Sequence, residues 1–313
     1  MSIKALKLTV KKFLAENQKL SFLTKIYLKK KITQHIYFSY KHEKNILKIH
    51  NIECFQSRGL STSYLLLDSM KEVKKKLKKN VEFIVHTGDY PSFSSSKIRQ
   101  YAYCCDKIED VKYVIPDFVY GGWAEAGISD YSKIVEQIEV ASSNKLVDDR
   151  IFWIGNSDNS PKRKSLLEIS EKHPDIVLAI DTKVDKVINH KSEFKASQLN
   201  YYSIPDHCKF KFLIDIEGVG YSGRLKLFLF TKRVVFIQER NWKEWFHFDL
   251  EPYKHFVPVK NDLSDLIEKY QEIKFNCELY QEITSNAYNF AQANLTYDMA
   301  IKRLTNILEK DFI

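Results

Sequence analysis

The residues best suited to chemistry lie in Phe212-Leu-Ile-Asp-Ile-Glu-Gly-Val-Gly-Tyr-Ser-Gly-Arg-Leu-Lys226. Gly218, Gly220 and Gly223, with Val219 and Ser222 between them, satisfy the spacing G-x-G-x-x-G. Glycines at those positions let backbone N–H groups close on a phosphate with no Cβ in the way. The apolar run before Gly218 predicts a strand, and a helix is expected from near Ser222. Its N-terminus would add free N–H donors and a partial positive charge. Glu239 follows the next expected strand, 21 residues after Gly218, where an acid would meet a ribose hydroxyl. The glycine pattern alone suits a dinucleotide-dependent dehydrogenase equally well. Arg224 and Lys226 shift the balance, because fixed cations stabilise a diphosphate that must depart as an anion.

Two kinds of element have to position such a loop. From residue 51 onward the chain reads as alternating strands and helices. Strands are expected at Val81–His86, Tyr113–Ile115, Ile151–Ile154, Phe210–Ile216 and Val234–Ile237. Helices are expected at Ser61–Leu77, Ser129–Ala141, from Ser160-Pro161 onward, and at Leu263–Tyr270, Glu278–Phe290 and Tyr297–Lys310. The pattern predicts two doubly wound α/β domains. The expected division is a basic helical segment at 1–50, a first domain at 51–145, a second at 146–295 and a C-terminal helix at 296–313. With 313 residues the chain can build two cores.

The formal charge of +9 is unevenly placed. Residues 1–50 hold 12 Lys against two acids, while the remainder has 37 basic and 38 acidic residues. A localised cationic segment favours an anionic surface such as lipid headgroups. It argues against a nucleic-acid-binding protein, whose basic residues would spread over the folded core. The five cysteines show no CxxC or Cys/His metal spacing and read as reduced thiols in a cytosolic compartment. No stretch approaches the ~20 apolar residues needed to cross a bilayer, and no secretory signal is visible.

The segment Asp206–Lys226 resembles the core motif of glycosyltransferase family 90. The similarity continues through Pro252–Leu266 and Asn286–Ala291. Upstream, Gly88-Asp89-Tyr90-Pro91 and Gly155-Asn-Ser-Asp-Asn-Ser-Pro-Lys-Arg163 resemble two further segments of that family. The wording around Gly218 is closer to its bacterial branch. The resemblance implies a GT-B architecture, with two Rossmann-like domains facing across a cleft. It implies a UDP-sugar donor, inversion at the anomeric carbon, no essential metal and no further cofactor. Asp89 takes the place of the catalytic base, and Ser222 and Arg224 match diphosphate-binding residues.

Around these, Arg163 is a candidate second phosphate contact, and Gly155 and Ser157 would allow close approach to the donor. Glu239 is a candidate ribose ligand. Asp262 is either a ribose ligand or the N-cap of the following helix. The expectation is a transferase moving a hexose or pentose to a hydroxyl of a cell-surface glycan or glycolipid, with lipopolysaccharide or lipooligosaccharide the first choice. The enzyme would be cytoplasmic or peripheral on the inner membrane, with residues 1–50 against anionic lipid. The alternatives are a protein O-glycosyltransferase, an NAD(P)-dependent oxidoreductase using the same loop, and a basic nucleic-acid-binding protein.

Overall fold

The computed structural model describes residues 34–52, 54, 57–93, 98–182 and 202–313. The chain forms two compact units, one of Met1–Glu125 with Ile301–Ile313 and one of Ala126–Ala300. The expected helices before residue 34 lie outside the described residues.

In the first unit, β1 (His35–Lys41) and β2 (Ile46–His50) are followed by α1 (Arg58–Lys76), β3 (Val81–His86) and β4 (Arg99–Ala102). The sheet order is β2-β1-β3-β4. β1 runs antiparallel to both β2 and β3, and β3 runs parallel to β4. This corrects two expectations. The end of the 1–50 segment is a hairpin and not a helix, and the described sheet of this unit is mixed and not an all-parallel Rossmann sheet. The physical reason is local. His35-Ile-Tyr-Phe-Ser-Tyr40 is rich in aromatic and β-branched side chains that fit a pleated surface. Asn45 then takes a left-handed conformation, φ 49°, to turn the chain. The core of the sheet centres on Phe83, whose ring lies 4.4 Å from Phe38, 5.3 Å from Tyr101 and 5.8 Å from Phe312.

The second unit opens with α2 (Tyr131–Ser142), followed by β5 (Asp148–Gly155), α3 (Pro161–Lys172), β6 (Val177–Asp181) and β7 (Phe210–Asp215). A single turn, α4 (Leu225–Phe228), leads to β8 (Val234–Gln238) and β9 (Val257–Val259). The chain ends in α5 (Leu266–Lys274), α6 (Cys277–Asn294) and α7 (Tyr297–Phe312), the last shared between the units. All five strands are parallel, in the order β6-β5-β7-β8-β9. Their runs are apolar almost throughout, as expected of strands covered on both faces. Ile151, Trp153, Phe212, Ile214, Phe236 and Tyr270 form the centre of one buried cluster.

The sequence pattern places the domain boundary after residue 145, whereas the structure places it after Glu125. α2 belongs to the second unit because its far end is tied there. The Arg233 guanidinium donates to the Ser142 carbonyl at 3.1 Å, and the Tyr288 hydroxyl donates to Glu139 at 2.9 Å.

Within the second unit the first strand, β5, lies between the second and third, β6 and β7. The connections therefore leave β5 and β7 toward opposite faces, the arrangement that opens a crevice beyond the C-terminal strand ends in such sheets. Open α/β sheets bind ligands at that place.

α1 packs against the turn Phe118–Gly121 so closely that a Cβ on Gly121 would sit 2.1 Å from the Ser61 carbonyl oxygen. Gly121→Ala should therefore force backbone apart and cost about 1–3 kcal/mol, as overpacking does. Urea unfolding measures this, and an unchanged midpoint would contradict the contact.

Candidate functional site

The crevice between β5 and β7 is crossed by two arginines. Arg163 comes from the first turn of α3, which Pro161 opens and the Ser160 hydroxyl caps. Its Nε donates to the Glu217 carbonyl at 3.0 Å and its Nη1 to the Asn156 carbonyl at 3.0 Å. Its guanidinium lies 5.5 Å from the Trp153 ring. A Cβ on Gly218 would lie 3.4 Å from its Nη2, so the glycine lets the loop lie against the guanidinium. Arg224 crosses in the other direction, from the β7 loop to the Ile154 carbonyl at 2.6 Å. Each guanidinium offers five N–H groups in a fixed fork. Among the described residues, Arg163 Nη2 and Arg224 Nη2 donate no hydrogen bond.

A third guanidinium, Arg240, completes the cluster. Its Nη1 lies 2.7 Å from Asp215 Oδ2, with both side chains buried. Its Nη2 donates to the Asp215 carbonyl at 2.6 Å and its Nε to the Gln238 carbonyl at 3.1 Å. The other carboxylate oxygen of Asp215 accepts from the Ser222 hydroxyl at 2.5 Å. Gln238 Oε1 accepts the Glu217 N–H at 3.1 Å. The end of β8 thus straps the glycine loop of β7 from the side. Sequence reasoning missed Asp215, Gln238 and Arg240. The signal was an acid at the last position of one strand and an arginine just past the end of the next.

The electrostatics follow from crowding. Burial, and then the neighbouring Arg224, push the Arg163 guanidinium down to about 9, so it remains charged at neutral pH. Burial lowers Arg224 as well, and Asp215 partly offsets this. Three guanidiniums share one fully buried carboxylate, with Glu217 a second acid that Arg163 feels. The cluster carries excess positive charge, which an anion with several oxygens would satisfy through charge-assisted hydrogen bonds.

The other expected residues fall in different places. Gly155 packs against the Trp153 ring, 2.9 Å from where its Cβ would be. Ser157 is bound to Asp181 at the end of β6, through both its N–H, at 3.1 Å, and its hydroxyl. The helix expected from Ser222 is only the four-residue α4, starting at Leu225. The expected helix-terminus charge is therefore much reduced, and arginines stand in its place. Val219 is exposed at the loop and Gly220 is buried within it.

Lys226 is fully buried, its amino group 2.7 Å from Glu244 and 2.9 Å from the Gly223 carbonyl. That geometry makes it an internal strut and not a diphosphate ligand. Glu239 projects from the end of β8 and is exposed. Asp262 accepts the Ser264 N–H at 3.0 Å and is exposed. Asp265 occupies the N-cap position of α5, so Asp262 is not that cap.

Asp89 lies on the first unit, just past the end of β3. Its Oδ1 is 3.1 Å from Arg58 Nη1, and the same nitrogen donates to the Thr87 carbonyl at 3.0 Å. Arg58 also lies 4.8 Å from the Phe118 ring. The carboxylate is thus oriented by a cation at the start of α1, another residue the sequence reading missed. Among the described residues, no group of three or more His, Cys, Asp or Glu could hold a metal ion, and no helix is long and apolar enough to cross a membrane.

The strut reading of Lys226 has a consequence for stability. Lys226→Met alone should cost about 3–5 kcal/mol, because the buried Glu244 carboxylate loses its cation at 2.7 Å. The double variant Lys226→Met/Glu244→Leu should recover most of that loss. Chemical denaturation of both variants checks this, and a neutral single variant would remove the strut.

The family model described as Glycosyl transferase family 90 matches residues 12–310. Human protein O-glucosyltransferase 1 is 27% identical over 278 residues, covering 83% of this chain and 68% of that protein. The O-glucosyltransferase rumi of Drosophila melanogaster is 29% identical over 239 residues, covering 69% of this chain and 56% of that protein. The chain thus spans between about half and two thirds of the length of these relatives. The solved structure of TarM aligns over 53% of this chain and 36% of its own, at 16% identity and a TM-score of 0.38. With a family match running from residue 12 to residue 310, the chain belongs to glycosyl transferase family 90.

Proposed function

We propose that the protein transfers a hexose from a UDP-sugar to an acceptor hydroxyl, with inversion at the anomeric carbon. The observation that carries this reading is the charge of Arg163 and Arg224 at the β5–β7 crossover, oriented by backbone carbonyls while Asp215 pairs with Arg240. A sugar diphosphate supplies the matching anion. In the reaction, the bond between the anomeric carbon and the diphosphate oxygen breaks, and the acceptor oxygen bonds to that carbon from the opposite face. Asp89 accepts the hydroxyl proton. The electron pair of the broken bond stays on the diphosphate, where Arg163 and Arg224 stabilise it without a proton donor. The guanidiniums supply charge that a divalent cation could otherwise bring, so turnover should persist in a chelator.

The acceptor is better read as a protein hydroxyl than as lipopolysaccharide. Of the two relatives described above, the human one is named a protein O-glucosyltransferase and the fly one an O-glucosyltransferase. The five cysteines form no disulfide, which supports a reducing compartment. The 12 lysines of residues 1–50 support attraction to an anionic surface, although most of that segment lies outside the described residues.

A UDP-release assay tests the reading across UDP-sugars, with a folded protein acceptor in one arm and a lipooligosaccharide in the other. Release stimulated only by the glycan would overturn the protein acceptor. Asp89→Asn should abolish transfer and leave UDP binding intact, and retained turnover would remove Asp89 as base. Arg224→Ala should weaken UDP binding ~10–100-fold, the scale of one or two hydrogen bonds to a charged group. An unchanged calorimetric titration would count against the clamp.

A further inference from the structure

The first unit carries a groove at the end of its sheet away from Asp89. The groove encloses about 220 Å³ between the β1–β2 hairpin and α1. Tyr40 and Leu47, directly opposite each other across the hairpin, form one wall. Leu67, Met70, Lys71 and Lys74 form the other. Their spacing of i, i+3, i+4 and i+7 puts all four on one face of α1. We propose that this groove and the lysines around it dock the first unit on an anionic phospholipid bilayer. Such docking is independent of the sugar donor, and it uses a built surface of the first unit instead of the lysines before residue 34.

Charge is the first observation. Asp68 is paired with Lys71 at 2.6 Å, Glu72 with Lys75 at 2.8 Å, Glu82 with Lys41 at 3.3 Å and Glu309 with Lys76 at 2.7 Å. Lys44, Lys74, Lys78 and Lys79 are exposed and form no ion pair among the described residues. The neighbouring acid in the hairpin turn, Glu43, offsets one of those four charges. The surplus favours an anionic membrane, where each lysine near the headgroups adds to the attraction.

The second observation is the arrangement of these cations. They come from the hairpin turn, the last turn of α1 and the loop before β3. Cations drawn from three elements spread over a face and do not follow one strand. A plane of headgroups matches that spread, whereas an acidic peptide would track a single line. The turn is also held in place. The His42 N–H donates to Asn80 Oδ1 at 2.9 Å, the Asn45 N–H to the His42 carbonyl at 3.0 Å, and the Tyr40 hydroxyl to Asn45 Oδ1 at 3.2 Å. The contact to Asn80 joins the turn to the loop before β3, so the lysines of both are presented together.

The third is the groove itself. An interfacial surface needs apolar side chains to enter the acyl boundary and lysine heads to stay at the phosphates. Leu47 and Leu67 are half-buried, with Lys71 and Lys74 beside them. The six residues of β3 separate this end of the sheet from the turn that carries Asp89, about 20 Å at ~3.3 Å per residue. A bilayer seated here leaves the Asp89 end in the aqueous phase, where a protein acceptor can reach it.

Vesicle co-sedimentation of the whole chain tests the docking. Phosphatidylcholine vesicles containing phosphatidylserine should bind the wild type, and pure phosphatidylcholine vesicles should not. Lys74→Glu/Lys78→Glu/Lys79→Glu should weaken binding at least ~10-fold. Leu67→Gln, shown by circular dichroism to be folded, should weaken it as well. The charge-matched control Lys133→Glu/Lys145→Glu/Lys172→Glu, on the second unit, should bind as the wild type does. Unchanged binding of the first triple variant or of folded Leu67→Gln would overturn the docking surface, and so would an equal loss in the control. A wild type that ignores both kinds of vesicle, or binds both alike, would overturn it too. Binding of soluble polyglutamate without binding of vesicles would assign the surface to an acidic peptide instead.

Hydrogen–deuterium exchange of the wild type on the anionic vesicles decides the matter without a variant. Protection should appear within residues 40–48 and 67–80. Protection confined to other residues would overturn the proposal.

Discussion

The carboxylate of Asp215, shut off from water, holds the C-terminal edge of the parallel sheet together. One oxygen fixes Ser222 in the glycine loop and the other faces Arg240 from the neighbouring strand. A buried charge is tolerated only where partners compensate it. The loop after β7 and the end of β8 must therefore keep their relative positions, or Asp215 is left exposed to its own desolvation cost. The Gln238 contact to the Glu217 N–H reinforces the same alignment. The shape of the loop is thus set largely by the next strand and not by its own glycines. Gly218, Gly220 and Gly223 are absent from the positive-φ glycines of the described chain, which are Gly122 and Gly127.

The cations of this region divide by how they are satisfied. Lys226 meets Glu244 in a buried ion pair. That pair is electrically closed, so it can hold α4 in place but offers little to a ligand. Arg163 and Arg224 instead direct part of each guanidinium to backbone carbonyls, which accept hydrogen bonds without cancelling the charge. Orientation is therefore fixed while the charge remains. A rigid site for an anion needs both properties, since a flexible cation loses side-chain entropy on binding and a paired one has no charge to give.

The strand-and-helix plan of the second unit was legible because its runs are long and apolar, as in Phe212–Ile214 and Val234–Ile237. β9 was not, because Pro258 interrupts it. The structure shows why the proline is accepted: β9 is the edge strand of its sheet, where a missing N–H need not break a ladder. β1 and β2 were hidden by the lysines around them, which suggested a basic helix although the residues of β1 are aromatic and β-branched. At the site, Arg163 and Arg224 could be named from their motifs. Arg240 and Asp215 could not, because their importance depends on β7 and β8 being neighbours, a fact about topology and not about spacing along the chain.

The same topology bears on the rival reading of the glycine loop as a dinucleotide site. That reading relies on a long helix whose N-terminal N–H groups and aligned dipole hold a pyrophosphate. Here the helix after the loop is one turn of four residues. Peptide dipoles add up only along the helix, so one turn contributes a small part of the ~0.5 charge of a full helix end. The positive potential comes instead from side-chain guanidiniums, drawn from both sides of the crossover. Full charges on either side of an anion act more strongly than a helix end, and they gain most when its charge rises. A sugar diphosphate gains charge on the terminal phosphate oxygen released from the anomeric carbon when that bond breaks, whereas the pyrophosphate of a hydride carrier does not change during the reaction. Under the proposed transfer, that arrangement suits a leaving group.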